Sequence, residues 1–238
     1  SQNRKGLLMW MSHSCWPSMV WQTYDYYFEP TAAYFAIKKA SEPLHIQWNP
    51  ATDEVEVVNY SAGTHKGLTA KVQVLNMDAS VAWEKEATVD SNEDTTNKCI
   101  KLAFPANLSK VHFIKMVLTE NGKVISDNFY HRSLEENNYQ DLRQLAKVAL
   151  QSTTTVDKNA DGTWSAVSVI ENKTSTPALM IRLNVVGSKD GQQLLPVFYS
   201  DNYFSLLPGE KKEVRMSWKD EDTRGNEGKV LITGYNVE

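Results

Sequence analysis

The hydrophobic pattern changes character at about residue 40. Before that point, residues 7–11 form an unbroken apolar run, which is typical of a strand covered on both faces, as in a parallel barrel. Pro30 suits a first helical turn, and helix-forming residues 32–37 then lead to Lys38 and Lys39. This pattern predicts one βα unit. A single βα unit cannot bury its own faces, so it needs the rest of a sheet or a neighbouring domain.

From residue 42 onward, short alternating or β-branched runs are separated by turn residues, as in β-sandwiches. Asn121 and Gly122 form a typical hairpin turn. The first predicted series of strands lies at residues 44–48, 54–59, 68–75, 81–89, 98–104, 111–119 and 123–130. The second series lies at residues 149–157, 163–172, 178–186, 193–198, 203–206, 210–218 and 229–235.

The residues between the two series, 133–146, mix Glu, Asn and Gln with a few apolar residues, which indicates an irregular linker with a short helix. We therefore predict a mainly β fold of two tandem immunoglobulin-like β-sandwiches that follow a βα unit. The predicted boundaries are 1–40 for the βα unit, 41–132 for the first sandwich, 133–147 for the linker and 148–238 for the C-terminal sandwich.

Composition restricts the function. A hydrophobic content of 41% in 238 residues is enough to bury real cores. The net charge of -4 argues against a nucleic-acid surface, which needs a basic stripe. No apolar stretch approaches the roughly 20 residues of a membrane span, so we expect no membrane partner. Residues 7–11 are also too short for a signal peptide, and we expect any signal to lie upstream.

Cysteine and histidine positions suggest no metal site. Cys15 lies in the loop of the βα unit and Cys99 in a later predicted strand, so we do not expect a disulfide. The histidines are scattered, without a paired spacing such as H-x-x-x-H. They are His13, His45, His65, His112 and His131.

Two strings carry a resemblance to a known family. The first is Trp16-Pro17-Ser18, then WQTYDYY at residues 21–27, then Pro30 followed by Tyr34-Phe35. It resembles the eighth strand and helix of a glycoside hydrolase family 2 barrel, with exo-β-D-glucosaminidases and β-mannosidases as the nearest branches. The second string, LPVFYSDNYFSLLPGE at residues 195–210, resembles the last immunoglobulin-like domain of the exo-glucosaminidase branch. The resemblance implies that residues 1–40 are the last βα unit of a (β/α)8 barrel.

The resemblance also implies a retaining glycosidase, which uses two carboxyl groups about 5 to 5.5 Å apart. In such a barrel both groups stand on earlier strands, so we assign no catalytic residue here and expect this chain alone to be inactive. No cofactor is needed for the reaction. Asp25 and Glu29 lie near an aromatic loop, but Asp25 is better interpreted as a cap or anchor at the start of the helix near Pro30.

Three residues are candidate substrate ligands. Trp16 directly follows the end of the predicted barrel strand, where these barrels open onto the catalytic mouth, and its indole could stack on a sugar. Packing under the barrel rim is the alternative for this large side chain. Trp10 fits either the pocket floor or the barrel core, with the core favoured. His13 could hydrogen-bond substrate, although a structural role fits it better.

In the second sandwich, the loop of Asp201, Asn202 and Tyr203 is a candidate for the cleft rim. The favoured alternative is a turn in which Asp and Asn hydrogen-bond their own backbone.

We therefore interpret the chain as the C-terminal accessory region of a family 2 glycosidase that cleaves β-glucosaminides or β-mannosides. It would buttress the barrel and help to complete the active-site rim, with the rest of the barrel and a glycan as partners. The alternative is a stand-alone carbohydrate- or protein-binding immunoglobulin-like module. The family resemblance suggests a periplasmic or secreted parent, while the sugar and the oligomeric state stay open. We expect the strand at residues 7–11 to dock on the first sandwich or to pair with another copy.

Overall fold

The computed structural model describes residues 8–18 and 22–238. One α-helix, Ala32–Ala40 (α1), precedes the strands, and a 3-10 helix at Gln140–Gln144 lies between the two series. The first series is Leu44–Asn49 (β1), Glu54–Asn59 (β2), His65–Asn76 (β3), Val81–Ser91 (β4), Thr95–Lys101 (β5), Val111–Glu120 (β6) and Lys123–Ser133 (β7). The second is Gln151–Lys158 (β8), Thr163–Glu171 (β9), Ala178–Gly187 (β10), Phe198–Tyr199 (β11), Phe204–Leu206 (β12), Lys211–Lys219 (β13) and Gly228–Thr233 (β14).

The first sandwich packs a sheet ordered β1, β2, β5 against a sheet ordered β4, β3, β6, β7, and every pairing is antiparallel. Alternation along β3 sends one side chain in two inward, which is the pattern that fills a core between two sheets. The core is made mainly of aliphatic side chains, among them Ile46, Val57, Leu68, Val72, Ile114 and Met116.

The second sandwich packs a sheet ordered β12, β10, β14 against a sheet ordered β11, β13, β9, β8. In β13, Val214, Met216 and Trp218 are buried while the residues between them are exposed. Trp218 stacks on Trp164 of β9, with ring centroids 6.4 Å apart. The mainly β fold with tandem immunoglobulin-like sandwiches is therefore confirmed.

A separate hydrophobic cluster joins the two sandwiches. Leu75 and Phe113 come from the first, Leu179 and Leu207 come from the second, and all four are buried. Side chains of the linker, Leu142 and Leu145 among them, pack against this cluster. The linker therefore contributes to a core instead of hanging between two independent domains.

Helix α1 docks mainly on the second sandwich. Phe35 is its one buried residue, and its ring lies 6.3 Å from that of Tyr199 and 5.9 Å from that of Tyr203. The Lys38 ammonium donates to the backbone oxygens of Tyr199, at 3.2 Å, and Ser200, at 2.7 Å. The helix is therefore anchored by one ring and one cation on the same loop.

The predicted barrel strand is not seen. Residues 8–11 form no β-strand, and Leu7 lies outside the described residues. A barrel strand is held by hydrogen bonds to neighbouring parallel strands, and every strand ladder among the described residues is antiparallel and belongs to a sandwich. Residues 8–11 are all exposed, so the expected docking of this strand on the first sandwich is not seen, whereas its pairing with another copy stays a prediction. The helix that follows does dock.

One predicted strand is also much shorter than expected. The sequence predicts a strand at residues 193–198. The structure has a strand only at Phe198–Tyr199, and Gln193 makes an isolated bridge to Val186. Among the described residues, no helix has the length and apolar character needed to cross a membrane.

Candidate functional site

The residues before α1 present many apolar side chains to solvent. We call residues 8–18 and 22–28 the aromatic segment. Trp10 is 83% exposed and Trp16 is 67% exposed. Leu8, Tyr27 and Phe28 are exposed as well. Exposed apolar side chains grouped in this way are characteristic of an interaction or ligand surface.

Hydrogen bonds nevertheless give the aromatic segment a defined local structure. The backbone oxygen of Ser12 accepts from the Tyr24 backbone N–H and from Thr23 Oγ1, both at 2.9 Å. Asp25 Oδ1 accepts from the N–H groups of Tyr27, at 2.8 Å, and Glu29, at 2.9 Å. Asp25 is thus an anchor of the turn before the helix, as interpreted from the sequence.

The three candidate substrate ligands lie in this segment. The indoles of Trp10 and Trp16 are free to meet a partner, because both are largely exposed. His13 is less available: its Nε2 lies 3.1 Å from the Tyr26 backbone oxygen and its ring stacks on Phe28 at 4.1 Å. Substrate contact by any of the three stays a prediction. Trp21 of the same string lies outside the described residues.

The candidate rim loop of Asp201, Asn202 and Tyr203 lies under the helix. Asp201 Oδ1 accepts from the Asn202 N–H at 2.8 Å, and the Asn202 amide bonds both backbone groups of Leu183, at 2.8 and 2.9 Å. Asn202 is buried, and the Tyr203 ring packs on Phe35. These contacts give the loop a supporting role, while a contact with sugar stays a prediction.

A cleft of about 580 Å³ lies between α1 and the two sandwiches. Lys39 at the end of α1 bonds Asp127 of β7 at 2.5 Å and Glu42 at 2.9 Å. On the opposite side, Lys212 of β13 bonds Asp201 at 2.5 Å. The charges that line the cleft are therefore paired. The pair of Lys39 with Asp127 joins the helix to the first sandwich, and the pair of Lys212 with Asp201 lies within the second.

The pKa values of the acids in the cleft follow from these pairs. Burial alone would raise the pKa of Asp127, but Lys39, then Lys212 and Lys115, outweigh burial and hold this pKa below its usual range. Burial likewise opposes ionisation of Glu42, but hydrogen bonds from His45, then from Ser126 and Lys39, lower its pKa. Both carboxylates are ionised at neutral pH, and their charge stabilises the position of the helix.

An Asp127→Asn variant is expected to be less stable than the unmodified chain at pH 7, and this difference should shrink at pH 3. Because the native pKa of Asp127 is lowered, its stabilisation is complete above the ordinary value of 3.8 and is lost as the pH falls through the native value. The side chain is 44% exposed, so the loss of free energy of unfolding at pH 7 should be about 1 kcal/mol.

Urea unfolding at the two pH values measures this loss. Asp157→Asn, on the exposed strand β8, is the matched control, and an Asp127 effect equally large at pH 3 would contradict the prediction.

Sequence reasoning missed the most specific contacts of this region. Glu29 pairs with Arg182 of β10, 153 positions along the chain, and Lys39 pairs with Asp127, 88 positions along. Lys39 was interpreted only as a cation that favours the end of a helix. No local pattern identifies partners at such separations, because they depend on how the helix docks.

The described residues contain no group of three or more His, Cys, Asp or Glu side chains that could hold a metal ion. Cys15 and Cys99 are both free thiols. Burial raises the pKa of the Cys99 thiol to about 11, so that sulfur stays protonated at neutral pH.

Comparisons with known proteins cover the whole chain. Residues 128–237 match the family model described as the exo-beta-D-glucosaminidase Ig-fold domain. An exo-beta-D-glucosaminidase of Streptomyces avermitilis is 32% identical over 100% of this chain and 29% of that protein. A mannosylglycoprotein endo-beta-mannosidase of Lilium longiflorum is 23% identical over 97% of this chain and 30% of that protein. The crystal structure of the Amycolatopsis orientalis exo-chitosanase superposes with a TM-score of 0.89 at 30% identity, over 98% of this chain and 30% of that one.

The fold defines the class of this chain, a region of tandem immunoglobulin-like sandwiches. Residues 128–237 match the Ig-fold domain of exo-β-D-glucosaminidases, and the chain as a whole fits the C-terminal region of a glycoside hydrolase family 2 enzyme. The resemblance to this family that the two sequence strings indicated is thereby confirmed. The chain spans about 29% of the length of the first curated relatives that it matches.

Proposed function

We propose that this chain buttresses the catalytic barrel of an exo-acting β-D-glucosaminidase and completes its active-site rim. The observation that carries the proposal is the aromatic segment, a run of exposed apolar side chains joined to a helix that is itself firmly docked. In the proposed assembly, the rest of the barrel covers the other exposed side chains of this segment, leaves Trp10 and Trp16 open to the active-site cleft, and supplies the neighbouring strands for residues 7–11. The sandwiches then hold this last part of the barrel in place.

We propose that the catalytic carboxylates lie outside this chain. A retaining glycosidase needs one carboxylate as nucleophile and one carboxyl group as acid and base. Asp25, within the aromatic segment, bonds two backbone N–H groups, and Glu29, which directly follows the segment, pairs with Arg182. Both are thus committed to holding the fold, which supports a role for this chain in support and positioning.

The relatives favour glucosamine as the sugar. Two exo-beta-D-glucosaminidases, from Streptomyces avermitilis and Amycolatopsis orientalis, match at 30% identity or more over nearly the whole chain, whereas the endo-beta-mannosidase matches at 23%. We therefore propose β-linked glucosamine as the substrate unit. Trp16 is the residue that we propose to stack on the sugar, and Trp10 is the second candidate, because both indoles are exposed and aromatic faces suit sugar rings.

Hydrolysis of nitrophenyl β-glycosides tests the proposal. The full-length protein that contains this chain is expected to cleave the glucosaminide and to leave the mannoside, galactoside and glucuronide nearly untouched. The isolated chain is expected to cleave none of them, since it lacks both carboxylates. Cleavage of any of these sugars by the isolated chain would contradict the proposed accessory role, and preference of the full-length protein for the mannoside would contradict the proposed sugar.

The alternative of a stand-alone binding module draws on the same exposed indoles. It differs in what the isolated chain does: a module binds glycan by itself, whereas a rim residue binds only when the barrel completes the pocket. Calorimetric titration of the isolated chain with glucosamine oligosaccharides separates the two. Dissociation constants of about 1 mM or tighter would favour the module.

A further inference from the structure

Arg182 occupies an unusual place on strand β10. The pairing of β10 with β12 shifts register between Ala178 and Ile181, and Met180 inside this bulge has a φ of 51°. A bulge bends a strand and changes the direction of the side chains that follow it. Arg182 comes directly after the bulge and reaches out of the sandwich to the Glu29 carboxylate, just before α1.

Asn202, in the loop between β11 and β12, holds the backbone next to Arg182 in place. Leu183 donates its N–H to Asn202 Oδ1 at 2.8 Å and accepts from Asn202 Nδ2 at 2.9 Å. Tyr203, which follows Asn202 in the chain, packs on Phe35 of the helix. Arg182, the loop that begins at Asp201 and helix α1 therefore form one connected support.

Glu29 connects this support to the aromatic segment. Its backbone N–H donates to Asp25 Oδ1 at 2.9 Å, and its backbone oxygen accepts from the Asp25 N–H at 3.0 Å. The turn closed by these bonds carries Tyr26, Tyr27 and Phe28, and Phe28 stacks on His13. Glu29 is thus bonded to the turn of the aromatic segment that holds Phe28 against His13.

The charges of Arg182 and Glu29 are partly shielded from solvent, so their pairing affects stability more than an exposed ion pair would. The Arg182 side chain is 31% exposed and that of Glu29 is 17% exposed. Arg182 Nε is buried without a hydrogen-bond partner among the described residues. Removing one member of a shielded pair leaves the other charge unpaired, which costs more than the loss of an exposed pair.

We propose that Arg182 is a positioning residue: through Glu29 it fixes the aromatic segment in the geometry that binds substrate, although it touches no substrate itself. This inference rests on the proposed function, in which the aromatic segment forms part of the active-site rim. It assigns to the C-terminal sandwich a direct influence on substrate affinity that buttressing alone does not require.

Steady-state kinetics of the full-length protein on nitrophenyl β-glucosaminide tests the inference. Arg182→Met and Glu29→Gln are each expected to raise KM about three- to tenfold with kcat changed less than about twofold, because uniform binding is lost. The double variant should be no worse than the more impaired single variant, since both changes break one link. Arg182→Lys should restore part of the affinity. Arg215→Met, which removes an exposed ion pair with Glu213 on the same sandwich, should leave KM unchanged.

Hydrogen exchange of the same proteins distinguishes failure of this inference from failure of the proposed function. Amides of residues 22–31 should exchange faster in Arg182→Met than in Arg215→Met, whether or not the protein cleaves glucosaminides. Unchanged exchange would overturn the structural link. Faster exchange with the KM of the unmodified enzyme would overturn the positioning role. An unmodified enzyme with no glucosaminidase activity would overturn the proposed function, and with it the catalytic part of this inference, while the exchange data would still judge the link.

Discussion

Replacing Phe113 with alanine is expected to lower the free energy of unfolding of this chain by about 3–5 kcal/mol, the usual cost of removing a buried phenylalanine. The Phe113 ring is completely buried in the cluster that joins the sandwiches. It contacts Phe129 and His131 of its own sandwich, with ring centroids 5.3 and 5.5 Å away. Leu179 and Leu207 belong to the same cluster but come from the second sandwich.

The loss of the Phe113 ring should also change how the two sandwiches unfold. Because the cluster is shared, the cavity should weaken the coupling between the sandwiches as well as the first core. Urea unfolding followed by tryptophan fluorescence should change from one transition to two, as cooperativity between the domains is lost. Phe104→Ala is the matched control, since this ring belongs to the same sandwich but is 38% exposed. A single transition at a lowered midpoint would show that the sandwiches are held together elsewhere, and an unchanged midpoint would contradict the predicted loss of stability.

Much of the fold follows from local pattern. In β13 the buried side chains recur at every second position, and the same alternation marks β3. The end of the helix was also recognisable, because Lys38 and Lys39 stand at its last turn. These features depend on neighbours within a few residues, so one sequence contains the information needed to predict them.

Other features depend on partners that local sequence does not specify. The strand expected at residues 7–11 is absent from residues 8–11, because an apolar run becomes a barrel strand only beside other barrel strands. The pairs of Glu29 with Arg182 and of Lys39 with Asp127 join positions far apart in the chain. The position of Trp16 in a loop was predictable from its string, but its 67% exposure was not, since packing under the barrel rim was the alternative.

The same dependence on partners separates two kinds of aromatic residue before and within α1. Phe35 has its partners in this chain, Tyr199 and Tyr203, and is buried. Trp16 remains 67% exposed. A large indole at such exposure contributes little to the stability of this chain, so a substitution there tests the proposed contact with sugar.

A Trp16→Ala variant of the full-length protein is therefore expected to lose about 10- to 100-fold in kcat/KM for the proposed β-glucosaminide substrates, the effect of removing a large aromatic contact from a binding site. Its free energy of unfolding should change by less than about 0.5 kcal/mol, as for other exposed positions. Tyr60→Ala, which removes an exposed ring from the first sandwich, is the matched control and should alter neither quantity. Kinetics and urea unfolding of the same preparations measure both. A large loss of stability with normal kinetics would instead place Trp16 under the barrel rim, where packing and not sugar binding is its role.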